Sequence, residues 1–366
     1  MSLLMIEGFE WLNATVSRDD IEPELLKHQY WFADFGSGAT DVVVPTRTGL
    51  QGLEFGDSHD FYTRKLQALG SGADKTLIIG FYMKTPATFL AGSVFLQILA
   101  TADLQVELEC ASAGSSTAIK LNRSSSTLLS TSVWTMSAST EYYFEFKFVF
   151  DDTTGSIEMK VADLTSDEEA ETTTEWTATG LDTVNSTSSP WRDGWDQVRF
   201  HGMNVGMVID DIYICNGAGS EANDFLGNLV VEALQPDGAG NDSGLTPSTG
   251  LNYQNVDEVA PSDDGTTYNE ADANGEIDLY TLTELSNGGD IAGVSVHSEV
   301  LVTEGNPRKM RLPIRSGGTT DEGSDITIGN DTYVGRRRIM EINPNTGSAW
   351  TQSEIVSLEA GIKRQS

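Results

Sequence analysis

Apolar and polar residues alternate in steps of two along much of the chain, most clearly at 141–150. There Tyr142, Phe144, Phe146, Phe148 and Phe150 are interleaved with Tyr143, Glu145, Lys147 and Val149. Successive side chains of a strand point to opposite faces, so this pattern predicts a strand with one aromatic face. The turn-rich Asp151-Asp152-Thr153-Thr154-Gly155-Ser156 follows, and then Ile157, Met159 and Val161 alternate with Glu158 and Lys160. The two runs predict an antiparallel hairpin.

Upstream, 76–83 and 93–100 read as more completely buried strands, while Leu104, Val106, Leu108 and Cys110 again share one side of their run. Runs at 197–200 and 207–215 complete the set. Many strands with turn signals every ten or so residues predict two antiparallel sheets packed as a jelly-roll-like sandwich.

The pattern breaks into small polar residues at Asn216-Gly217-Ala218-Gly219-Ser220, which places a domain boundary between 1–218 and 219–366. The segment 236–268, rich in Gly, Asp, Asn, Ser, Thr and Pro, reads as a long surface loop. Strands resume at 278–283, 291–303 and 309–316, so the second domain is also expected to be β. Thr351 as N-cap, Glu354 three residues on, and Ile355, Leu358 and Ile362 at helical spacing predict one short terminal helix over 351–362. The fold class is therefore all-β: two β-sandwich domains with one short C-terminal helix.

A length of 366 residues suits two domains, and 39% hydrophobic with 21% charged residues describes a globular chain. The 55 acidic residues against 22 basic ones give a net charge of -33, which excludes nucleic acid as a partner because phosphate backbones would be repelled. No run approaches the ~18 apolar residues of a spanning helix, so membrane insertion is not expected. The opening residues carry Glu7 and Glu10 and no basic-then-apolar leader, so folding in cytoplasm is expected. Cys110 and Cys215 sit in apolar runs and read as small buried hydrophobes, with a single bridge between them left open.

Candidate chemistry is sparse. Trp191, Arg192, Asp193 and Trp195 stand in a turn-prone stretch, where exposed indoles would offer a stiff apolar platform to a pyranose and the charged pair would bond its hydroxyls. The competing reading folds both tryptophans over the sandwich core. Arg336 and Arg338 lie on one side of a strand-like run and are candidates for docking onto acidic residues of another subunit, against a solvated edge strand. His28, His59, His201 and His297 stand apart in sequence, with no nucleophile motif around any serine, and no catalytic residues are expected.

Three segments resemble the concanavalin-like or laminin-G-like lectin sandwich family: Gly52-Leu53-Glu54-Phe55-Gly56-Asp57, the hairpin 142–161, and Ile209-Asp210-Asp211-Ile212-Tyr213-Ile214. That fold hosts sugar binders, protein binders, hydrolases and spacers. Some laminin-G-like relatives bind calcium, and the paired carboxylates Asp151 and Asp152, Asp210 and Asp211, and Asp263 and Asp264 could supply oxygen ligands. Their spacing fits no standard loop, and turn hydrogen bonds also account for the first and third pairs.

The whole layout resembles virion structural proteins of tailed bacteriophages. The resemblance is carried by Ile6-Glu7-Gly8-Phe9-Glu10-Trp11-Leu12, by the linker from Asp210 to Gly227, by Val256-Asp257-Glu258 with Asp263-Asp264-Gly265-Thr266-Thr267-Tyr268, and by 343–351. It implies a non-enzymatic virion surface protein, either capsid decoration or tail-associated. Its expected partners are other virion proteins and host surface glycans, and a homo-oligomer is expected, with a trimer as the first candidate. Two rival readings remain, a glycan-degrading enzyme and a free-standing carbohydrate-binding module.

Overall fold

The computed structural model describes residues 2–10, 12, 25, 27, 32–34, 42–47, 51–56, 61–66, 75–101, 103–124, 127–130, 133–185, 194–258, 263, 265–303, 305–329 and 332–365. The chain forms two compact units, one ending at Val231 and the other made of Glu232 onward together with Leu12 and Lys27.

The strands of the first unit are, in chain order, β1 Leu3–Glu7, β2 Phe32–Asp34, β3 Val42–Pro45, β4 Gln51–Phe55, β5 Phe61–Lys65, β6 Thr76–Lys84, β7 Val94–Ala100 and β8 Asp103–Cys110. They continue as β9 Ser116–Arg123, β10 Thr127–Ser130, β11 Thr135–Ser137, β12 Glu141–Val149, β13 Gly155–Asp163, β14 Thr173–Leu181, β15 Gln197–His201 and β16 Met207–Asn216. Two eight-stranded antiparallel sheets result. The first is ordered β14-β13-β12-β6-β16-β4-β3 with β1 on β16, and the second β10-β9-β8-β7-β15-β5-β2 with β11 on β9.

The predicted aromatic face is the core. The rings of Phe144, Phe146, Phe148 and Phe150 stack at successive centroid distances of 5.9, 5.9 and 6.1 Å. Tyr142 lies on the same side, 5.5 Å from Phe144. Phe81 of β6 meets Phe200 of β15 edge-on at 5.1 Å, which joins the two sheets. Each buried phenylalanine contributes about 1.5–3 kcal/mol of transfer free energy.

The opposite face of β12 is also buried: Tyr143 and Glu145 are both inaccessible to solvent. Residues 225–231 lie across it. Gly227 N–H donates to Glu145 Oε1 at 2.8 Å, Leu226 N–H to Tyr213 Oη at 3.1 Å, and Val231 N–H to Asp211 Oδ1 at 2.6 Å. These bonds keep residues 219–231 with the first unit, which ends at Val231, thirteen residues beyond the expected boundary at Ala218.

The second unit is also β. Strands Pro236–Ser243, Ile277–Leu282, Glu359–Arg364, Arg308–Arg311 and Ile326–Ile328 lie side by side in that order, and Ile314–Ser316 pairs with both Thr319–Asp321 and Glu359–Arg364. Val294–Val300 and Val334–Met340 form a separate pair. Leu312, Ile314, Trp350 and Leu358 anchor the core.

Two expectations are corrected here. The helix is confined to Gln352–Val356, with Thr351 and Glu354 forming the expected capping box, and Glu359–Arg364 is a central strand. Gly361 explains the switch: a Cβ there would overlap the Asp278 carbonyl, and pairing on both sides outweighs a helical preference that glycine itself weakens. The loop expected over 236–268 begins as an eight-residue edge strand on Ile277–Leu282. Its glycines serve close approach, since a Cβ at Gly240 would lie 2.6 Å from the Leu279 carbonyl oxygen.

Candidate functional site

Four adjacent strands of the second sheet bring a polar row into register. Asn122 of β9 faces Glu107 of β8, Glu107 faces Gln97 of β7, and Gln97 faces Arg199 of β15. Val106, Leu108, Val198 and Phe200 occupy the alternate positions and fill the core. The pleat therefore turns the polar four, with His201 and the Lys120–Glu109 pair, to the outward face.

The row is hydrogen-bonded end to end. Asn122 Nδ2 donates to Glu107 Oε1 at 3.4 Å, and Gln97 Nε2 donates to Glu107 Oε2 at 3.0 Å. Gln97 Oε1 accepts from Arg199 Nη1 at 3.3 Å and lies 2.9 Å from His201 Nε2. Because that amide oxygen only accepts, His201 must carry its proton on Nε2. Lys120 Nζ donates to Glu109 at 2.9 Å. On the same face of β8, Gln105 accepts from Asn185 N–H at 2.7 Å, while its buried Nε2 meets no acceptor among the described residues.

Burial raises the Glu107 pKa, and the amides of Gln97 and Asn122 oppose that rise by bonding its charged form. Burial, reinforced by the Arg199 charge, lowers the His201 pKa to about 4, so the ring is neutral near pH 7. Within three rungs of sheet this side carries amide, guanidinium, ammonium, imidazole and carboxylate groups; Glu107 and Asn122 are buried, and Gln97, Glu109, Lys120, Arg199 and His201 are partly exposed. Paired donors and acceptors of this kind match the vicinal hydroxyls of a sugar.

A second polar group lies on the outward side of the first sheet, beneath residues 225–231. Arg47 is fully buried, ion-paired to Asp211 at 2.8 Å, and its guanidinium carbon sits 5.7 Å and 5.2 Å from the ring centroids of Tyr82 and Tyr143. It also donates to the side chain of Asn228 and to the carbonyl of Leu229. Asp211 occupies a bulge in β16 with φ of 48°, and the extra residue brings Asp210 and Asp211 together with Glu10. The ligand oxygens of the three carboxylates lie within 4.8 Å of one another.

The sequence-predicted residues fare unevenly. Trp195 is a core residue whose Nε1 donates to the Thr76 carbonyl at 2.9 Å, so it offers no ring face to a sugar. Trp191, Arg192 and Asp193 lie outside the described residues. Asp151 caps its own turn, accepting from Thr153 N–H and Thr154 N–H at 2.9 Å each, and among the described residues neither it nor Asp152 belongs to a carboxylate cluster. Asp210 and Asp211 do, together with Glu10, which the sequence reading left out. Arg338 is engaged within its own unit, paired to Asp321 at 2.8 Å and bonded to the Leu312 carbonyl, while Arg336 bonds the Gly335 carbonyl.

The row Asn122, Glu107, Gln97 and Arg199 was not singled out from the sequence. The usable signal was the alternation Gln105, Glu107, Glu109 in an otherwise apolar strand.

No family model matches the chain, and no curated protein matches it. Solved structures similar to it include phage proteins and carbohydrate-binding or carbohydrate-degrading β-sandwiches. The cellulose induced protein Cip1 is 16% identical with a TM-score of 0.36, over 51% of this chain and 91% of that one. The CBM2 module of the evolved Dit of Lactobacillus casei BL23 phage J-1 is 9% identical with a TM-score of 0.31, over 60% and 98%. The carbohydrate esterase vb_24B_21 of the Shiga toxin-encoding bacteriophage phi24B is 16% identical with a TM-score of 0.34, over 58% and 100%.

Proposed function

We propose that this chain is a non-enzymatic virion surface protein that binds host surface glycans through the outward face of its second sheet. One observation carries the glycan half of this reading: the registered row Asn122, Glu107, Gln97 and Arg199, with His201 beside it. A sheet face facing only solvent would favour separate side chains, each free to hydrate. Here they are held in fixed rotamers by one another, which lowers the entropy lost on binding a polar ligand. The virion half rests on the sequence resemblance, with capsid decoration and tail-associated adhesion as its two forms.

The test is retention on an array of bacterial surface polysaccharides. Wild-type protein binds a subset, and Gln97→Leu and Arg199→Ala each lose that retention while their circular dichroism is unchanged. Equal retention by all three proteins contradicts the proposal.

A second reading has a specific observation behind it. Glu107 and Glu109 share one side of β8, about 7 Å apart by strand geometry, within the roughly 5–10 Å of glycosidase pairs. Burial raises Glu107 as a general acid requires. This reading predicts new reducing ends when the protein is incubated with the retained polysaccharide, and their loss in Glu107→Gln. The binding reading predicts none from the wild type.

A further inference from the structure

We propose that the outer edge of β14 takes up an extended, lysine- or arginine-bearing segment of another protein as an added strand. This site lies on the first sheet and does not rest on the glycan-binding face of the second. β14 is the terminal strand of its sheet and, among the described residues, pairs with β13 alone. Backbone N–H and C=O groups point alternately to the two sides of a strand, so the side away from β13 presents a row of them without ladder partners. An incoming strand bonds such a row.

The other terminal strands of the three larger sheets are shorter or blunted. β2 and β10 have three and four residues, β3 has four and ends on Pro45, Ile326–Ile328 has three, and Pro236–Ser243 opens with a proline. β14 has nine residues, without proline or lysine, and four of them are threonine, a residue that favours strands. Bulges at Glu175 and Gly180 bracket its regular stretch, so Trp176–Thr179 is the run held in straight register against β13. Thr177 and Thr179 are exposed there, and Trp176 and Ala178 are half-buried.

Charge selects the occupant. The chain leading into β14 carries six exposed acids, Asp163, Asp167, Glu168, Glu169, Glu171 and Glu175, and no basic residue stands between Val161 and Leu181. Asp167, Glu169, Glu171 and Glu175 form no ion pair among the described residues. The loop is nevertheless held in place. Leu164 is buried with its N–H on the Glu141 carbonyl at 2.8 Å, and Asn228 Nδ2 donates to the carbonyls of Glu168 and Ala170 at 2.9 and 3.0 Å. A fixed acidic approach at the Thr173 end of the edge attracts a cationic segment and repels an anionic one. A second copy of this chain, at a net charge of -33, is thereby disfavoured.

The full chain is titrated with a fluorescein-labelled peptide in which alternating valine and threonine is followed by a block of lysine, so that an antiparallel strand lays the lysines beside the acidic loop. Saturable binding is expected. It should weaken about tenfold or more when the lysines are replaced by glutamate, and about fivefold or more in Glu169→Gln/Glu171→Gln/Glu175→Gln, which changes exposed side chains only. Two further peptides, N-methylated on one or the other set of alternate residues, keep every charge but lose the donors on one side; one of them should lose binding and the other retain it. No saturable binding of the parent peptide overturns the proposal, as does equal binding of both methylated peptides, because charge alone then accounts for it. Equal binding of the glutamate peptide overturns the choice of a cationic partner. Peptide binding that is progressively blocked as chain concentration rises would make a second copy the occupant, and overturns it too.

Discussion

Gln97 donates its amide N–H to Glu107 Oε2 over 3.0 Å, and the oxygen of the same amide accepts from Arg199 and His201. One neutral side chain thereby separates a carboxylate from two basic groups and fixes the orientation of all three. Replacing it with leucine removes both halves of the relay without changing the core. Gln97→Leu is expected to lower glycan affinity about tenfold or more, since the charged groups it leaves lose their bonded partners, while urea unfolding shifts by under ~1.5 kcal/mol. A loss of affinity matched by a large loss of stability would make Gln97 a structural residue only.

His201 sets a pH dependence. Its pKa in the folded protein, about 4, lies below the ordinary value of 6.5, so folding favours the neutral ring. The associated stability is fully present above pH 6.5 and is lost as pH falls through that value toward 4, by up to about 2–3 kcal/mol. Carboxylates raised by burial act in the opposite sense, so the contribution is isolated by comparison with His201→Gln. Urea unfolding at pH 7 and pH 4.5 should show wild type losing more stability than the variant. Parallel losses would remove His201 from the account.

Arg47 is the counter-charge for a buried acidic group and the anchor of Asn228 and Leu229. Arg47→Ala is expected to cost about 3–5 kcal/mol, because Asp211 is left charged and unpaired. Arg47→Met with Asp211→Asn should recover part of that loss by removing the stranded charge. Chemical denaturation of the three proteins measures both, and a single-variant cost under ~1 kcal/mol would contradict the assignment.

Trp195 separates packing from recognition. As a fully buried residue bonded to the Thr76 carbonyl, it should lose about 2–3 kcal/mol of stability on change to phenylalanine, from a lost hydrogen bond and a small cavity. Retention on polysaccharide below the unfolding midpoint should be unaffected. Lost retention in a protein that remains folded would return this residue to the binding surface.

Much of the first sandwich was legible because its core strands keep strict period-two patterning: Tyr142, Phe144, Phe146, Phe148 and Phe150 need only one decision about face. The outward faces were less legible. Glu145 and Tyr213 look solvent-directed from their alternation, yet residues 225–231 cover them, and that contact joins positions about eighty residues apart. The row at Asn122, Glu107, Gln97 and Arg199 draws on four strands whose order β9-β8-β7-β15 is fixed by sheet topology and not by local sequence. Glu10 was missed for the same reason, since only the bulge at Asp211 brings it to Asp210. In the second unit the helical spacing of Ile355, Leu358 and Ile362 was real through Val356, and strand pairing took over where Gly361 approaches Asp278.

The central claim is that the outward face of the second sheet binds glycan. Its most direct test is the backbone amide spectrum of the isotopically labelled protein, recorded with and without an oligosaccharide prepared from the polysaccharide it retains best. Shifts concentrated on Gln97, Glu107, Asn122, Arg199 and His201 and their strand neighbours are the predicted result. Shifts confined to other parts of the molecule, with these five residues unmoved at saturation, would contradict it.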